Sequence, residues 1–588
     1  MRPYVLPAAV LALFTSLLLA EASWYRSTKS VTFDETFYLS CGLQTVHDGW
    51  IDPRIAGEGV GPLPVLINFV PALLNTGGRD RVDPWVGEPA DRDLIRLPRL
   101  VNSIAAGAAL VVVVFVWLYR RRGLAAAGFG AGMIALSPSI VAHASLATTD
   151  LSFAVFAILA LAALAWYLRS TTWPRFLTLV VATGAALTAK YSAVFLLPTI
   201  GIMFFLHALK NRGGAWRTDF LPAVWSSVRT FALFLCLFVP VWWGFHLFSY
   251  TGPLKNVPIE ETPDWSPWVK MLGRGPLATE FMDVAHRRLK RPAPIAGVLF
   301  QFLHNSAGHP AYLMGERSQG GWWYYFPCAF VFKSTPAELA LTAGLLAGLA
   351  FSWRRIGRLD VELQVLLLGG AIFVVMLLTS RIAIGHRYLV VLSPLVVLVA
   401  TELLFAWRRR RIASAAAVLL LASQAVSNAA IAPDFLAYFN FLSGGPEGGR
   451  SLLVDSNLDW GQDLPALRDV LAERNDAAVA ISYFGTADLE SYGIAADPVA
   501  KLPGDAGDYT AFAISVTHLQ GVYVAGDDPL RAFRGFKPAA RAGYSILVYD
   551  LDTPEKRTAF RTAADAVHKA TLEREEQERQ RKASLTVN

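Results

Sequence analysis

Residues 150–190 read DLSFAVFAILALAALAWYLRSTTWPRFLTLVVATGAALTAK. It contains two apolar runs, beginning near residues 151 and 176, that are joined by the basic segment LRSTTWPR. Apolar runs of this kind cross the roughly 30 Å hydrocarbon core of a bilayer, and basic connections mark its cytosolic side. The stretch therefore predicts two membrane helices that turn in the cytosol and place Asp150 and Lys190 at the outer face.

The same alternation continues along the chain. Apolar runs begin near residues 4, 98, 125, 151, 176, 190, 229, 336, 363, 387 and 412, which predicts about eleven membrane helices. Basic segments at 119, 168, 209, 353 and 407 fall in every second connection and are predicted to be cytosolic. The long loops 24–97 and 250–335, and everything after about residue 433, are then outside. LLLAEAS near residue 20 resembles a signal-peptidase site, but a retained first helix is favoured because Arg2 alone precedes it.

Composition agrees with a membrane protein. The 588 residues are 54% hydrophobic and 17% charged, and the mean hydropathy is +0.40, which indicates many spanning helices. The formal charge of +7 comes from arginines and lysines in short stretches between apolar runs. This is a topology signal, and we expect no nucleic-acid binding. Three cysteines are too few for a disulfide framework or a zinc site.

The pattern changes from about residue 450. SLLVD, AVAISYFG, YTAFAISV and YSILVYDL are typical of strands, and LPALRDVLAER of a helix. We therefore predict a membrane domain at 1–440, a small extracytoplasmic α/β domain at 441–555, and a charged tail at 556–588 that is a solvated helix or disordered. Asp455, Asp459 and Asp463 lack the spacing of a calcium loop, so capping and turn roles are favoured for them.

Six polar residues lie at the outer ends of the predicted helices: Asp34, Glu35, Asp150, Lys190, His386 and Arg387. A folded bundle could bring them together at one leaflet. There a carboxylate could deprotonate a hydroxyl group, while the cations stabilise a phosphate leaving group. Each also has a structural alternative: the aspartates could cap helices, Lys190 could extend to the lipid headgroups, and His386 and Arg387 could bind anionic lipid without specificity.

Several ordered motifs in residues 1–440 are familiar. FDETFYL, GPLPVLIN, RDLIRLPRLVNSIAAG, TTDLSFAVF, LTAKYSAVFLLP, GWWYYFPCAFVFKSTP and GHRYLVVLSP occur in this sequence order. With these motifs the chain resembles the GT-C class of membrane glycosyltransferases, especially bacterial relatives of protein O-mannosyltransferases and lipid A aminoarabinose transferases. The segment GPLPV departs from the Pro-Pro-Leu pattern of that class, and eleven helices are fewer than some of its members have.

The resemblance implies a reaction and roles. It implies a GT-C fold and inverting transfer of a sugar from a polyprenyl-phosphate-linked donor to a hydroxyl of a protein, lipid or glycan. Asp34 corresponds to the catalytic base, with Glu35 as its neighbour and Asp150 as the second acidic residue. We expect Lys190, His386 and Arg387 to bind the donor phosphate. No cofactor is expected to be required, and no ligand cluster indicates a divalent cation.

Two other functions remain open. A transporter or flippase could bind the same lipid-linked sugar without cleaving it, but ionisable residues at helix ends instead of the bilayer midplane favour chemistry. A receptor that carries the C-terminal domain on a membrane anchor would not need so many helices. We expect a multi-pass protein of the bacterial inner (plasma) membrane that contacts membrane lipids, with its site and C-terminal domain facing the periplasm or cell exterior.

Overall fold

The computed structural model describes residues 4–71, 94–213, 216–251, 274–283, 290–407, 409–474, 476, 478–502, 508–524 and 528–586. Among them, eight helices are long and apolar enough to cross a membrane: Val5–Thr28, Arg96–Arg122, Asp150–Arg169, Tyr191–Asn211, Thr218–Phe245, Val361–Leu378, His386–Ala406 and Arg410–Ile431. Leu124–Ala135 and Pro138–Ser145 form a pair bent by 63°, which makes a ninth if the pair is one span. The chain is a multi-pass α-helical membrane protein, as predicted.

A helix occupies each of the eleven predicted positions, but Leu124–Ala135 reaches span length only with its bent partner, and two others are short. Trp173–Ala189 and Pro336–Ser352 have 17 residues each. At 1.5 Å per residue, each is about 26 Å long and falls just short of the hydrocarbon thickness. By length and composition the described residues therefore supply eight or nine spans, fewer than the sequence predicts.

The predicted outer loops contain short elements. The helices are Phe33–Asp48, Pro53–Gly57, Pro62–Asn68, Pro276–Asp283, Ala293–Ala307 and Tyr325–Lys333. Two antiparallel ribbons pair Tyr250–Thr251 with Arg291–Pro292 and Ala311–Leu313 with Glu316–Ser318. The motif GPLPVLIN forms the helix Pro62–Asn68, in which Pro64 and Val65 are buried.

The basic segments and the predicted site residues lie at opposite ends of the bundle. At one end Arg121 contacts Asp360, Glu362 and Glu402, and Arg169 pairs with Glu362. Asp150 lies at the opposite end of the helix that ends at Arg169, about 30 Å away for 20 residues. Basic segments therefore gather at one end of the bundle, and the predicted site residues lie at the other.

The C-terminal domain is a small mixed sheet with flanking helices. Its strand order is Asp497–Pro498, Val479–Ser482, Ala511–Ser515, Ile546–Asp550 and Ala540–Ala542. The first three strands are parallel, and the last two pairings are antiparallel. The helix Leu464–Arg474 lies where LPALRDVLAER predicts it. The prediction of a small α/β unit is confirmed for these elements.

The strand predicted at SLLVD is wrong. Residues 451–454 form turns and coil, and Asp455–Asn457 is a 3-10 turn in which Asp455 has a left-handed φ of 60°. The amides of Leu452 and Leu453 bond to Gly449 O, and the Asp455 amide bonds to Thr517 Oγ1 at 3.0 Å. These partners satisfy the amides of Leu452, Leu453 and Asp455 without a strand ladder.

The charged tail is helical. It belongs to a continuous helix, Pro554–Thr586, whose first turns are buried on the C-terminal domain through Phe560, Ala563 and Ala564. The Phe560 ring packs 5.1 Å from the Phe512 ring of the central strand. The folded domain therefore extends past residue 555, and of the two alternatives for the tail the helix is the one observed.

Candidate active site

Asp34 lies in the first turn of the helix Phe33–Asp48, whose N-cap is Thr32. Capping is therefore not the role of Asp34. Its Oδ2 instead accepts a hydrogen bond from Arg387 Nη1, which joins two segments 353 residues apart. The Asp34 side chain is 23% exposed and that of Arg387 is 11% exposed, so the ion pair is partly open on the carboxylate side.

Glu35, the next residue, is fully buried and has a different environment. Its Oε2 accepts from the amide and hydroxyl of Thr32, both at 2.9 Å, and its Oε1 accepts from the Ala147 amide at 2.8 Å. Arg99 binds both oxygens, Nε to Oε1 at 2.8 Å and Nη2 to Oε2 at 2.6 Å. Burial alone would raise the pKa of Glu35, but Arg99 and the two amides hold it below its ordinary value.

Asp150 and Lys190 form a second ion pair. Lys190 Nζ lies 2.5 Å from Asp150 Oδ1, and the two side chains are 17% and 2% exposed. Asp150 is the first residue of its helix, and Lys190 directly follows the end of the next helix, so the two ends meet as residues 150–190 predict. Lys190 is thus held within the protein instead of extending toward headgroups.

The ring of Tyr388 brings the two pairs together. Lys190 Nζ is 4.5 Å and Arg387 Cζ is 5.6 Å from the centre of this ring. A cation over an aromatic face is attracted by the ring quadrupole. Asp34, Asp150, Lys190 and Arg387, from four distant segments, therefore form one cluster of two carboxylates and two cations, which we call the acid–base cluster.

His386 is turned away from this cluster. Its Nδ1 lies 3.2 Å from Ser139 Oγ, and its amide donates to Asn457 Oδ1 at 2.8 Å. The ring lines a mostly apolar cavity between helices, together with Ser137, Glu338 and other residues. Its expected contact with a donor phosphate remains a prediction, and the observed contacts hold the loop that carries Arg387.

The cluster has the parts for acid–base chemistry on a phosphate ester. It offers a partly exposed carboxylate, two cations and aromatic faces within one region. The buried Nε of Arg387 has no hydrogen-bond partner among the described residues, so one donor of this guanidinium is unused in the fold. Within the same residues, no three His, Cys, Asp or Glu side chains are grouped so that they could hold a metal ion.

Three residues that contact Glu35, Lys190 or Arg387 were not identified from the sequence. Arg99 lies in the quoted segment RDLIRLPRLVNSIAAG, but nothing there shows that it binds Glu35. Tyr388 directly follows His386 and Arg387 in GHRYL. An aromatic ring next to two basic residues was the one sequence feature that could have indicated its contact with the cations. Trp460 belongs to the C-terminal domain, and its ring lies 4.7 Å from Arg387 Cζ. No local pattern indicates that this tryptophan reaches the membrane domain.

Comparison with known proteins gives matches among solved structures. No family model and no curated protein sequence matches the chain. The archaeal oligosaccharyltransferase AglB from Archaeoglobus fulgidus, solved with an inhibitory peptide and a dolichol-phosphate, is 13% identical with a TM-score of 0.47. The alignment covers 88% of this chain and 70% of AglB.

ArnT from Cupriavidus metallidurans also matches in two states. Its apo structure is 14% identical, with a TM-score of 0.27 over 92% of this chain and 97% of ArnT. The structure bound to undecaprenyl phosphate is 15% identical, with a TM-score of 0.29 over 91% and 97%. At TM-scores below 0.5 these likenesses assign neither a reaction nor residue roles, but the structural neighbours of this chain are GT-C glycosyltransferases, the class that its motifs resemble.

Proposed function

We propose that the protein is an inverting glycosyltransferase that moves a sugar from a polyprenyl-phosphate-linked donor to a hydroxyl acceptor at the outer face of the membrane. One observation carries the proposal: Asp34, Asp150, Lys190 and Arg387 converge in one cluster at the end of the bundle opposite its basic segments. A polyprenyl chain would remain in the bilayer and present its phosphate at this depth. The acceptor is a protein, lipid or glycan hydroxyl.

The ion pairs suggest how the cations act. The phosphate of the donor would compete with Asp34 for Arg387, whose Nε is without a partner among the described residues. Phosphate binding would then release the Asp34 carboxylate from its strongest contact. Lys190, which is shared between Asp150 and the Tyr388 ring, supplies the second positive charge.

The reaction then balances as a single displacement. The Asp34 carboxylate takes the proton of the acceptor hydroxyl while the acceptor oxygen forms a bond to the anomeric carbon. The bond from that carbon to the phosphate oxygen breaks, and its electron pair leaves with the polyprenyl phosphate. Lys190 and Arg387 stabilise this developing charge. The oxygens of Glu35 are occupied by Arg99, Thr32 and Ala147. These bonds fix the first turn of the helix, so Glu35 would position its neighbour Asp34.

Mass spectrometry of cell-envelope glycolipids and glycoproteins tests the proposal. Cells that lack the gene should lose one sugar from a specific acceptor. The wild-type gene should restore the sugar, and the Asp34→Asn variant should not, although the protein is present at equal amounts. If Asp34→Asn restores the sugar fully, Asp34 is not the base. That result would favour the alternative that the protein moves a lipid-linked sugar across the membrane without catalysis.

A further inference from the structure

The segment 455–463 of the C-terminal domain lies directly against the acid–base cluster. The Phe33 amide donates to Trp460 O at 3.0 Å, and the Ser30 amide donates to Gln462 O at 2.8 Å. Phe33 is the first residue of the helix that carries Asp34. The backbone of this segment therefore fixes the start of that helix.

The side chain of Trp460 contacts the other partner of the ion pair. Its ring centroid lies 4.7 Å from Arg387 Cζ, and the residue is 2% exposed. A tryptophan face is the strongest aromatic partner for a guanidinium group, particularly where water is excluded. One residue thus contacts both sides of the Asp34–Arg387 pair, the helix of Asp34 through its carbonyl and the guanidinium of Arg387 through its ring.

Neighbouring residues of the same segment hold the loop that precedes Arg387. Ser456 Oγ donates to Ile384 O at 3.0 Å, and Asn457 Oδ1 accepts from the His386 amide at 2.8 Å. Asn457 is fixed in turn by Nδ2, which donates to Tyr325 Oη at 3.0 Å. The loop therefore has little freedom to move Arg387 independently of the C-terminal domain.

Trp460 is also placed outside the sheet core of its own domain. It packs with residues of the membrane domain, including Tyr25, Val141 and Phe435, while the sheet core is built from other residues such as Leu467, Ile481 and Val548. A tryptophan needed for the stability of the C-terminal domain alone would be expected within that sheet core. Its position fits a role at the site instead.

We propose that Trp460 is a positioning residue for donor-phosphate binding and acts through Arg387, which makes the C-terminal domain a working part of the site. The inference rests on the proposed function for the identity of the ligand. Trp460 would hold the guanidinium in a fixed plane beside Asp34, and a shift of the Asp34 side chain on donor binding would leave the N–H groups of the guanidinium for a phosphate oxygen. Binding would then cost less ordering of the arginine side chain.

Binding of undecaprenyl phosphate to the purified full-length protein in detergent tests the proposal. We expect Trp460→Leu to weaken binding about tenfold, and Trp460→Phe to remain within about threefold of wild type. Phe533→Leu is the matched control, because Phe533 is a buried aromatic residue of the same domain that packs on Phe512. The control should change binding by less than about twofold. Equal losses in Trp460→Leu and Phe533→Leu would overturn the proposal.

A double-mutant cycle with Arg387→Gln tests whether Trp460 acts through the arginine. If it does, Trp460→Leu should weaken binding by less than about threefold further once the guanidinium is absent. A full additional tenfold loss in the Arg387→Gln background would contradict an action through Arg387. The kinetic constants should agree with the binding data: the KM for the donor should rise in Trp460→Leu, while kcat should change little.

A reagent that modifies arginine separates this inference from the proposed function. Phenylglyoxal should modify Arg387 slowly in wild type and Trp460→Phe, and at least about tenfold faster in Trp460→Leu, as followed by peptide mass spectrometry below the unfolding temperature. Absence of undecaprenyl phosphate binding in wild type would count against the proposed donor, and the modification rates would still decide on Trp460. Equal rates in wild type and Trp460→Leu would refute the positioning role.

Discussion

At the scale of single residues, Asp34 and Glu35 are neighbouring carboxylates in different environments. Asp34 is partly exposed and has Arg387 as its ion-pair partner. Glu35 is buried, and the side chain of Arg99 binds both of its oxygens. A base must reach the acceptor proton, and only a carboxylate with open access can do so. Access therefore favours Asp34 over Glu35 as the proposed base.

The role of Asp34 predicts a specific loss. Asp34→Asn should lower turnover about 10²–10⁴-fold, the usual contribution of general acid–base catalysis. Donor affinity should be kept or increased, because the neutral amide competes less for Arg387. Turnover with a lipid-linked donor and the melting temperature are the two measurements. Asp48→Asn, at the exposed end of the same helix, is the control, and near-normal turnover of Asp34→Asn would defeat the assignment.

Lys190 is predicted to act on the phosphate as well as on Asp150. Lys190→Met should weaken donor affinity about tenfold by removing a charge-assisted contact. It should also destabilise the fold by about 3–5 kcal/mol, because Asp150 is left buried and unpaired. The double variant Asp150→Asn with Lys190→Met separates the effects: stability should recover, but affinity should not. Wild-type affinity in the double variant would exclude a phosphate contact.

The sequence predicted much of the cluster at this scale. Asp34, Asp150, Lys190 and Arg387 could be named because polar residues at the ends of apolar helices are conspicuous. The separation of Glu35 from Asp34 could not be predicted. It depends on which face of the helix meets Arg99 and the Ala147 amide, and that is decided by packing between segments 112 residues apart.

At the scale of elements, Glu35 is the contact that holds the Asp34 helix on the bundle. Its bonds join Thr32 at the helix start, Arg99 at the start of a membrane helix, and Ala147 in the turn before Asp150. Glu35→Ala should therefore lower stability by about 3–5 kcal/mol, the usual cost of leaving a buried arginine unpaired. Thermal unfolding in detergent measures this, with the exposed Glu473→Ala as control. A loss no larger than the control's would contradict it.

A buried histidine predicts how the C-terminal domain responds to acid. His518 is bonded to Ser482 Oγ at 3.0 Å and packs on Phe484, and burial lowers its pKa from 6.5 to about 4. Below pH 6.5 the unfolded chain binds a proton that the folded domain does not. Stability should thus fall by up to about 3 kcal/mol as the pH drops to about 4.

His518→Gln is the variant that tests this dependence. Glutamine can keep a hydrogen bond to Ser482 but does not titrate, so the fall in stability between pH 6.5 and 4 should become shallower. Melting temperatures of wild type and variant at several pH values in this range provide the measurement. Parallel curves for the two proteins would show that His518 does not control the response.

Some elements could be predicted from the sequence, but the strand at SLLVD was wrong because a long-range contact decides the structure there. LPALRDVLAER has helical periodicity and several strong helix formers (Leu, Ala, Arg and Glu), and the helix occurs there. SLLVD has the composition of a strand but is followed by the polar residues of DSNLDW. In the fold, Ser456 and Asn457 use their side chains to bond the loop before Arg387. The segment serves a long-range contact, which a local propensity does not reveal.

At the scale of the whole molecule, the membrane and C-terminal domains are joined through the site. The contacts between residues 30–33 and 460–462 cross more than 400 positions of sequence. Nothing in a single sequence indicates such pairings, because each segment satisfies its own local pattern. The sequence therefore predicted a small α/β unit after the membrane helices but gave no sign that this unit packs against the acid–base cluster.

A buried ion triad at this junction carries the last prediction. Lys29, 4% exposed at its side chain, follows the first membrane helix and pairs with Asp434 and with Asp463, whose Oδ1 lies 2.7 Å away. Asp434 follows the last membrane helix, and Asp463 precedes the first helix of the C-terminal domain. Lys29→Met leaves both carboxylates unpaired, so stability should fall by about 3–5 kcal/mol and the domain should dock less firmly.

Weaker docking of the C-terminal domain in Lys29→Met should change two properties besides the stability. In Lys29→Met, proteolysis between the two domains should accelerate, and donor affinity should fall because Trp460 no longer covers Arg387 firmly. Lys29→Met combined with Asp463→Asn removes one of the unpaired charges and should recover part of both properties. If Lys29→Met lowers the melting temperature while proteolysis and donor affinity stay at wild-type values, the triad stabilises the fold without coupling the C-terminal domain to the site.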